Sequence, residues 1–155
     1  MSRQPVEPVA TPAAIDLRDR TVYVAWGQDI VRYSDLDPNG HVNNGAINMF
    51  FEDGRVAFRD QRMALAGKAL LTGFAVKKFS VTYHAALGYP ATVETGTVVT
   101  RVGRSSFELG QGVFANDRCI ATAEVVQVYF DPATGKSAPL PDPVRAALEG
   151  AMVKG

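Results

Sequence analysis

The stretch "GAINMFFEDGRVAFRDQRMALAG", residues 45–67, decides how the rest of the chain must fold. Ile47, Phe50, Phe51, Gly54 and Phe58 recur at the three- and four-residue spacing of one helix face. Asn43 or Asn44 suits the start as a cap, and Gly67 suits the stop, so the spacing predicts a helix near 44–66. Upstream, "TVYVAWGQDIVRY" (21–33) is rich in β-branched and aromatic residues and reads as a strand. Downstream, "LLTGFAVKKFSVTYHA" (70–85), "ATVETGTVVTRVG" (91–103), "SSFELGQGVFAND" (105–117) and "CIATAEVVQVYFD" (119–131) read as four more. They are broken by turn-like "GYP", "VGR" and "NDR", and the short gaps predict that neighbours pair as an antiparallel meander. Val125, Val126 and Val128 place apolar side chains on both faces of the last strand, as in a sheet covered on both sides. "DPATGKSAPLPDP" reads as a loop and "PVRAALEGAMV" as a short terminal helix. One long helix among strands must bury its stripe against their sheet. The fold class is therefore α+β, with a curved antiparallel sheet wrapped around one central helix.

The bulk numbers bound the possibilities. At 155 residues the chain predicts one domain with a core that needs no disulfides. Residues 1–20, with Pro5, Pro8 and Pro12, read as a mobile tail, and residues 21–155 as the domain. Lys+Arg and Asp+Glu are both 16, so the basic excess of a nucleic-acid binder is missing. No run of about 18 apolar residues could span a bilayer, and the N-terminus lacks a signal-peptide core. The single cysteine, Cys119, fits a reducing compartment, so a cytoplasmic location is expected. Two histidines argue against a histidine-rich metal site, and no cofactor is expected.

Between the first strand and the helix lies "RYSDLDPNGHVNN" (32–44). The first amides of a helix lack intrahelical partners and carry the positive end of its dipole. A carbonyl oxygen held there gains hydrogen bonds as it becomes an oxyanion. Asp35, Asp37, Asn39 and His41 stand just upstream. A carboxylate beside a polarised carbonyl can activate water or attack directly. The parts suit acyl transfer. A structural reading stands beside this one: Asp37-Pro38-Asn39-Gly40 makes a good β-turn, and the asparagines are good caps.

The string "DLDPNGHVNN" (35–44) with the helix start "GAINMFFEDGR" resembles the hotdog-fold thioesterases, especially the 4-hydroxybenzoyl-CoA thioesterase-like group. The resemblance covers roughly residues 22–131 and implies hydrolysis of acyl-CoA to free acid and CoA. It implies that Asp37 is the catalytic carboxylate and that the backbone amide of Asn44 meets the thioester carbonyl. It also implies a homodimer, or a homotetramer built as a dimer of dimers, with the active site at the dimer interface. The D-x-N-x-H-V-N-N run is similar to plant acyl-carrier-protein thioesterases, which implies catalytic roles for Asn39 and His41 as well. The two templates differ on whether His41 acts chemically or orders the loop. A thiolate leaves without a strong acid, because thiols have pKa values near 8.5. The alternatives are an acyl-carrier-protein substrate, an enoyl-thioester hydratase or dehydratase, and a non-catalytic acyl-thioester-binding protein. Hotdog hydratases commonly carry D-x-N-P-x-H; here His41 follows Asp37 by four positions, with Gly40 before it, which counts against that chemistry.

Coenzyme A needs cations, and Lys77, Lys78, Arg101, Arg104 and Arg118 are candidates. Strand alternation sends Lys77 and Lys78 to opposite faces, so at most one meets a given ligand. "RVGRSS" (101–106) resembles the family's turn near coenzyme A, which puts Arg104 and Ser105 first; a solvated hairpin tip is the other reading. Glu52 could replace the loop carboxylate, as in another hotdog branch, or serve as a buried or interface polar group. Cys119 reads as a packed thiol and His84 as a surface or interface residue.

Overall fold

The computed structural model describes residues 15–67 and 72–153. Strands β1 (Ala25–Ile30), β2 (Phe74–Tyr83), β3 (Thr92–Val102), β4 (Ser106–Ala115) and β5 (Arg118–Tyr129) form one antiparallel sheet in the order β1-β3-β4-β5-β2. Helix α1 (Asn44–Phe58) crosses one face of the sheet. It runs on through a π turn (Arg59–Met63) and a 3-10 turn (Ala64–Ala66), and stops at Gly67 with φ +90°. Helix α2 (Asp142–Glu149) packs near that end. The architecture is the expected α+β arrangement of one long helix on an antiparallel sheet.

The expected meander needs correction. β3, β4 and β5 do pair in sequence, but β2 pairs with β5 rather than β3, and β3 takes β1 as its other neighbour. The "GYP" break lies in a crossover, residues 84–91, longer than the two to five residues typical of a hairpin loop. A gap length bounds a hairpin; it does not choose among distant edges. The strict alternation expected at Lys77 and Lys78 is also interrupted. The register jumps from Val76↔Gln127 to Lys78↔Val126, so Lys77 is the extra residue of a β-bulge, and both lysines are exposed.

Helix and sheet meet most closely at Gly54. A Cβ there would lie 2.4 Å from Thr95 Cγ2 and 3.2 Å from Gln111 Nε2. Gln111 is fully buried and fully used: its Nε2 donates to Phe51 O (3.0 Å) and Thr97 Oγ1 (2.9 Å), and its Oε1 accepts from Arg55 (3.0 Å). Thr97 Oγ1 donates to Gly54 O at 3.4 Å. The sheet thus supplies hydrogen bonds to helix carbonyls that are already paired within α1. Such a satisfied buried network fixes one docking geometry. On either side of this polar patch the contact is apolar: Ile47, Phe50 and Phe51 with Val93 and Val113 toward one end, and Phe58 with Val99, Leu109 and Val125 toward the other.

Residues 15–24 cover the opposite face. Gly96 and Gly112 leave a trough filled by Tyr23, and Gly110 leaves room for Leu17. Arg20 stacks on Trp26 and Phe114 with its guanidinium carbon 4.5 and 5.1 Å from the ring centroids. The expected domain start at residue 21 therefore falls inside this packed segment; residues 1–14 lie outside the described residues.

Gly54→Ala is expected to destabilise the fold in urea. Overpacking typically costs about 1–3 kcal/mol, against about 1 kcal/mol of gained helix propensity. Thr95→Ser, which removes the clashing methyl, should recover part of the loss in the double variant.

Candidate active site

The joint before α1 is a compact loop held at three points. Asp35 is buried and turns inward: its carboxylate accepts from Arg32 N (2.8 Å) and Arg32 Nη2 (3.0 Å). Burial pushes its pKa up, but the Arg32 hydrogen bonds and charge outweigh that and hold the group below the usual carboxylate value. Its carbonyl accepts from both Asn43 N and Asn43 Nδ2, each at 2.8 Å. Asn43 Oδ1 then accepts from Ala46 N at 2.7 Å, which makes Asn43 the cap of α1. Finally, Val42 N donates to Leu87 O at 2.9 Å, tying the loop to the β2–β3 crossover.

Within this frame Asp37 is presented differently from Asp35. The turn expected at Asp37–Gly40 is present: Gly40 N donates to Asp37 O at 3.0 Å, and Gly40 sits at φ +77°, where a side chain would be strained. Asp37 Oδ1 accepts from Asn39 N (2.8 Å) and His41 N (3.1 Å). One carboxylate oxygen is thereby fixed by two amides, and the other carries no hydrogen bond to the described residues. Turn and carboxylate presentation are one structure, so the two readings of this loop do not compete.

Asp37, His41 and Asn44 line one open cavity of about 380 Å3, closed on its other side by Tyr83, His84 and Leu87. The N–H groups of Asn44 and Gly45 have no hydrogen-bond acceptor among the described residues, whereas those of Ala46 and Ile47 are held by Asn43. A carboxylate and free helix-start amides therefore border the same space. The His41 ring is exposed and has no hydrogen bond to the described residues. Asn39 acts through its backbone; its side chain is exposed and does not line the cavity.

The sequence reading had no role for Tyr83 or for Asn48 behind it, and it left His84, which lines the cavity, as a surface or interface residue. Tyr83 OH donates to Asn48 Oδ1 at 2.8 Å, closing the groove between α1 and β2, and His84 Nε2 bonds Thr122 Oγ1 at 2.9 Å. The only sequence signal for Asn48 is a polar residue one turn after Asn44. Of the five candidate cations, Arg118 reaches this end of the molecule, donating to Ala86 O. Arg104 and Ser105 do not: Ser105 O accepts from Tyr129 N at 2.8 Å, and Tyr129 pairs with Phe74 at the other end of β2. Along a strand rising about 3.3 Å per residue, that is roughly 30 Å from Tyr83. Lys77, Lys78 and Glu52 also lie away from the cavity within one protomer. Burial pushes the Cys119 thiol above its ordinary value, as suits a packed side chain. Among the described residues no group of three or more His, Cys, Asp and Glu is placed to hold a metal ion.

On the opposite side of α1, the carboxyl groups of Asp29 in β1 and Asp53 in α1 face one cavity close together. Burial first, then this contact and the Asp53 charge, push Asp29 up to about 6.

The profile of the thioesterase-like superfamily matches residues 31–148. Among solved structures, a Thermus thermophilus thioesterase complexed with coenzyme A and zinc is 27% identical, with TM-score 0.73, covering 84% of this chain and 95% of its own. A thioesterase candidate of Pseudomonas aeruginosa is 28% identical, with TM-score 0.70, covering 81% and 98%. A 1,4-dihydroxy-2-naphthoyl-CoA thioesterase of Synechocystis shares the fold at 17% identity, with TM-score 0.68, covering 80% and 94%. No curated protein sequence matches the chain.

Two outcomes follow for stability. Asn43→Ala removes the cap and the side-chain half of the clamp on Asp35 O, leaving the main-chain N–H in place, and should cost about 1–2 kcal/mol in urea unfolding. The Asp29–Asp53 pair has the opposite sign. A carboxylate whose folded pKa lies near 6, above its unfolded 3.8, weakens the fold as pH rises between those values. Asp53→Asn should therefore raise Tm at pH 7.5, and the gain should vanish by about pH 4.

Proposed function

Since the chain belongs to the thioesterase-like superfamily, we propose that it hydrolyses acyl-CoA thioesters to the free acid and CoA in the cavity bordered by Asp37 and Asn44. The observation that carries this reading is the juxtaposition of a carboxylate with one unbonded oxygen and a helix-start N–H with no acceptor. The thioester oxygen accepts from the Asn44 N–H. The free oxygen of Asp37 attacks the carbonyl or takes a proton from water. In the first route the C–S bond breaks, the thiolate leaves and water hydrolyses the acyl anhydride on Asp37. In the second the water adds to carbon, the C–S bond breaks and the thiolate leaves, while Asp37 passes its proton to solvent. His41 borders the same cavity and orders the attacking group.

The proposal includes a homodimer. β2 is a ten-residue edge strand with exposed Val76 and Tyr83, and such an edge invites pairing. A two-fold axis at the middle of β2 exchanges its ends. The partner's Phe74 end, with its Arg104–Ser105 turn, would then approach this protomer's Asp37 cavity. Arg118 from one protomer and the partner's Arg104 would flank the coenzyme A phosphates. The location we propose is cytoplasmic; among the described residues no helix is long and apolar enough to cross a membrane.

Two variants test the chemistry with a panel of acyl-CoAs and a thiol-trapping dye. Asp37→Ala is expected to lower kcat by roughly 10²–10⁴-fold. Asn44→Pro deletes the N–H at the first helical position, where proline is tolerated. Asn43 already has φ −70° and ψ 156°, compatible with a following proline. A loss of roughly 10²–10³-fold with unchanged Tm is expected. Wild-type activity in both variants would refute the assignment.

A further inference from the structure

A second cavity, of about 230 Å3, lies under the last turns of α1 and the π turn after it, against β2, β4 and β5. The Asn48–Tyr83 hydrogen bond and the Phe51–Phe79 ring contact lie between it and the Asp37 cavity within the protomer. Its floor is apolar: Phe58, Met63, Phe74 and Leu109. Its rim carries two guanidiniums, Arg55 and Arg59, and one carboxylate, Glu52.

Arg55 is the unusual member. It is half-buried, and its guanidinium lies 5.1 Å from the Phe79 ring centroid. One of its five donors bonds Gln111 Oε1 at 3.0 Å. Neither Arg55 nor Arg59 forms an ion pair among the described residues; Glu52 acts on Arg55 only as a charge at longer range. Burial opposes the charge of Arg55 and lowers its pKa. A desolvated guanidinium with open donors is what an incoming carboxylate compensates, and its planar fork fits that group. With Arg59 added and Glu52 subtracted, the rim keeps a net positive charge. The space below holds roughly eight groups of water size at ~30 Å3 each, which is the body of a hexanoate or a benzoate.

We propose that this cavity binds the carboxylate of a small amphipathic acid, with the carboxylate on Arg55 and Arg59 and the hydrocarbon on the Phe58–Leu109 floor. The same chemistry has two sources. One is a free acid. The other is the distal carboxylate of an acyl thioester, which the two-fold arrangement proposed above would deliver from the partner's catalytic cavity; only this second source rests on the hydrolase reading.

The test is titration of the full chain with hexanoate and with 1-hexanol, followed by NMR chemical shifts. Wild type should bind hexanoate saturably and 1-hexanol at least tenfold more weakly. Arg55→Met should weaken hexanoate binding by roughly ten- to a hundredfold. Because Arg55 also touches Gln111, a second variant avoids the buried network: Val56→Trp fills the cavity from the exposed face of α1 and should also abolish binding. Equal binding of hexanol and hexanoate, undiminished binding in either variant, or no saturable binding by wild type would overturn the proposal. Kinetics then separate the sources. If Arg55→Met raises KM for adipoyl-CoA but not for hexanoyl-CoA, the carboxylate is the far end of the acyl group. If both esters respond alike while hexanoate binding still depends on Arg55, the ligand is a free acid. Absence of thiol release from every ester would refute the hydrolase reading and leave the titration to decide this site.

Discussion

The contact between Gly54 and the Thr95–Gln111 floor is the constraint from which the rest of the structure follows. A long helix can lie on a curved sheet at many depths and rotations. Here a missing side chain lets the backbones approach, and Gln111 and Thr97 then bond two helix carbonyls that any rotation would carry away. With α1 fixed about its axis, its N-terminal amides point into the space beside Tyr83 and Leu87. Its last turns stand over Phe74 and Leu109. Both cavities are therefore set by packing at a point that neither contains.

The loop before α1 shows how two identical side chains, two positions apart, come to do different work. Asp35 is buried, bonded to Arg32, and holds Asn43 through its carbonyl. Asp37 is held by two amides through one oxygen and keeps the other open. The backbone of Asp35 holds Asn43 while its carboxylate is anchored on Arg32, so loop geometry and helix start are joined at one residue. This coupling keeps the carboxylate and the helix amides in a constant relation, which the acyl-transfer role we propose requires.

The edge strand β2 accounts for the distance between the residues we propose as functional within one protomer. The order β1-β3-β4-β5-β2 leaves β2 open along its outer edge and puts the Arg104–Ser105 turn at one end of it and Asp37 near the other. A partner related by a two-fold axis exchanges those ends. In the dimer we propose, the same exchange would bring the Arg55 cavity toward the partner's proposed catalytic loop, so the proposed carboxylate and hydrolytic sites would become neighbours only between subunits.

The helix, the five strands and the turn at Asp37–Gly40 were legible in the sequence because they rest on local periodicity and residue type. The apolar stripe from Ile47 to Phe58, the Asn43 cap and the Gly67 stop all lie within a few residues of what they control. Strand order was not legible: which edge β2 joins depends on the path of residues 84–91 around the sheet, and no local pattern encodes it. The buried role of Gln111 was hidden for a related reason, since a glutamine between two glycines is polar in sequence and becomes core only when Gly54 arrives above it. Residue type and spacing by themselves determined the elements and the acidic loop before the helix. Tertiary contact alone decided which aspartate faces the cavity, because burial and hydrogen-bond partners belong to the assembled fold.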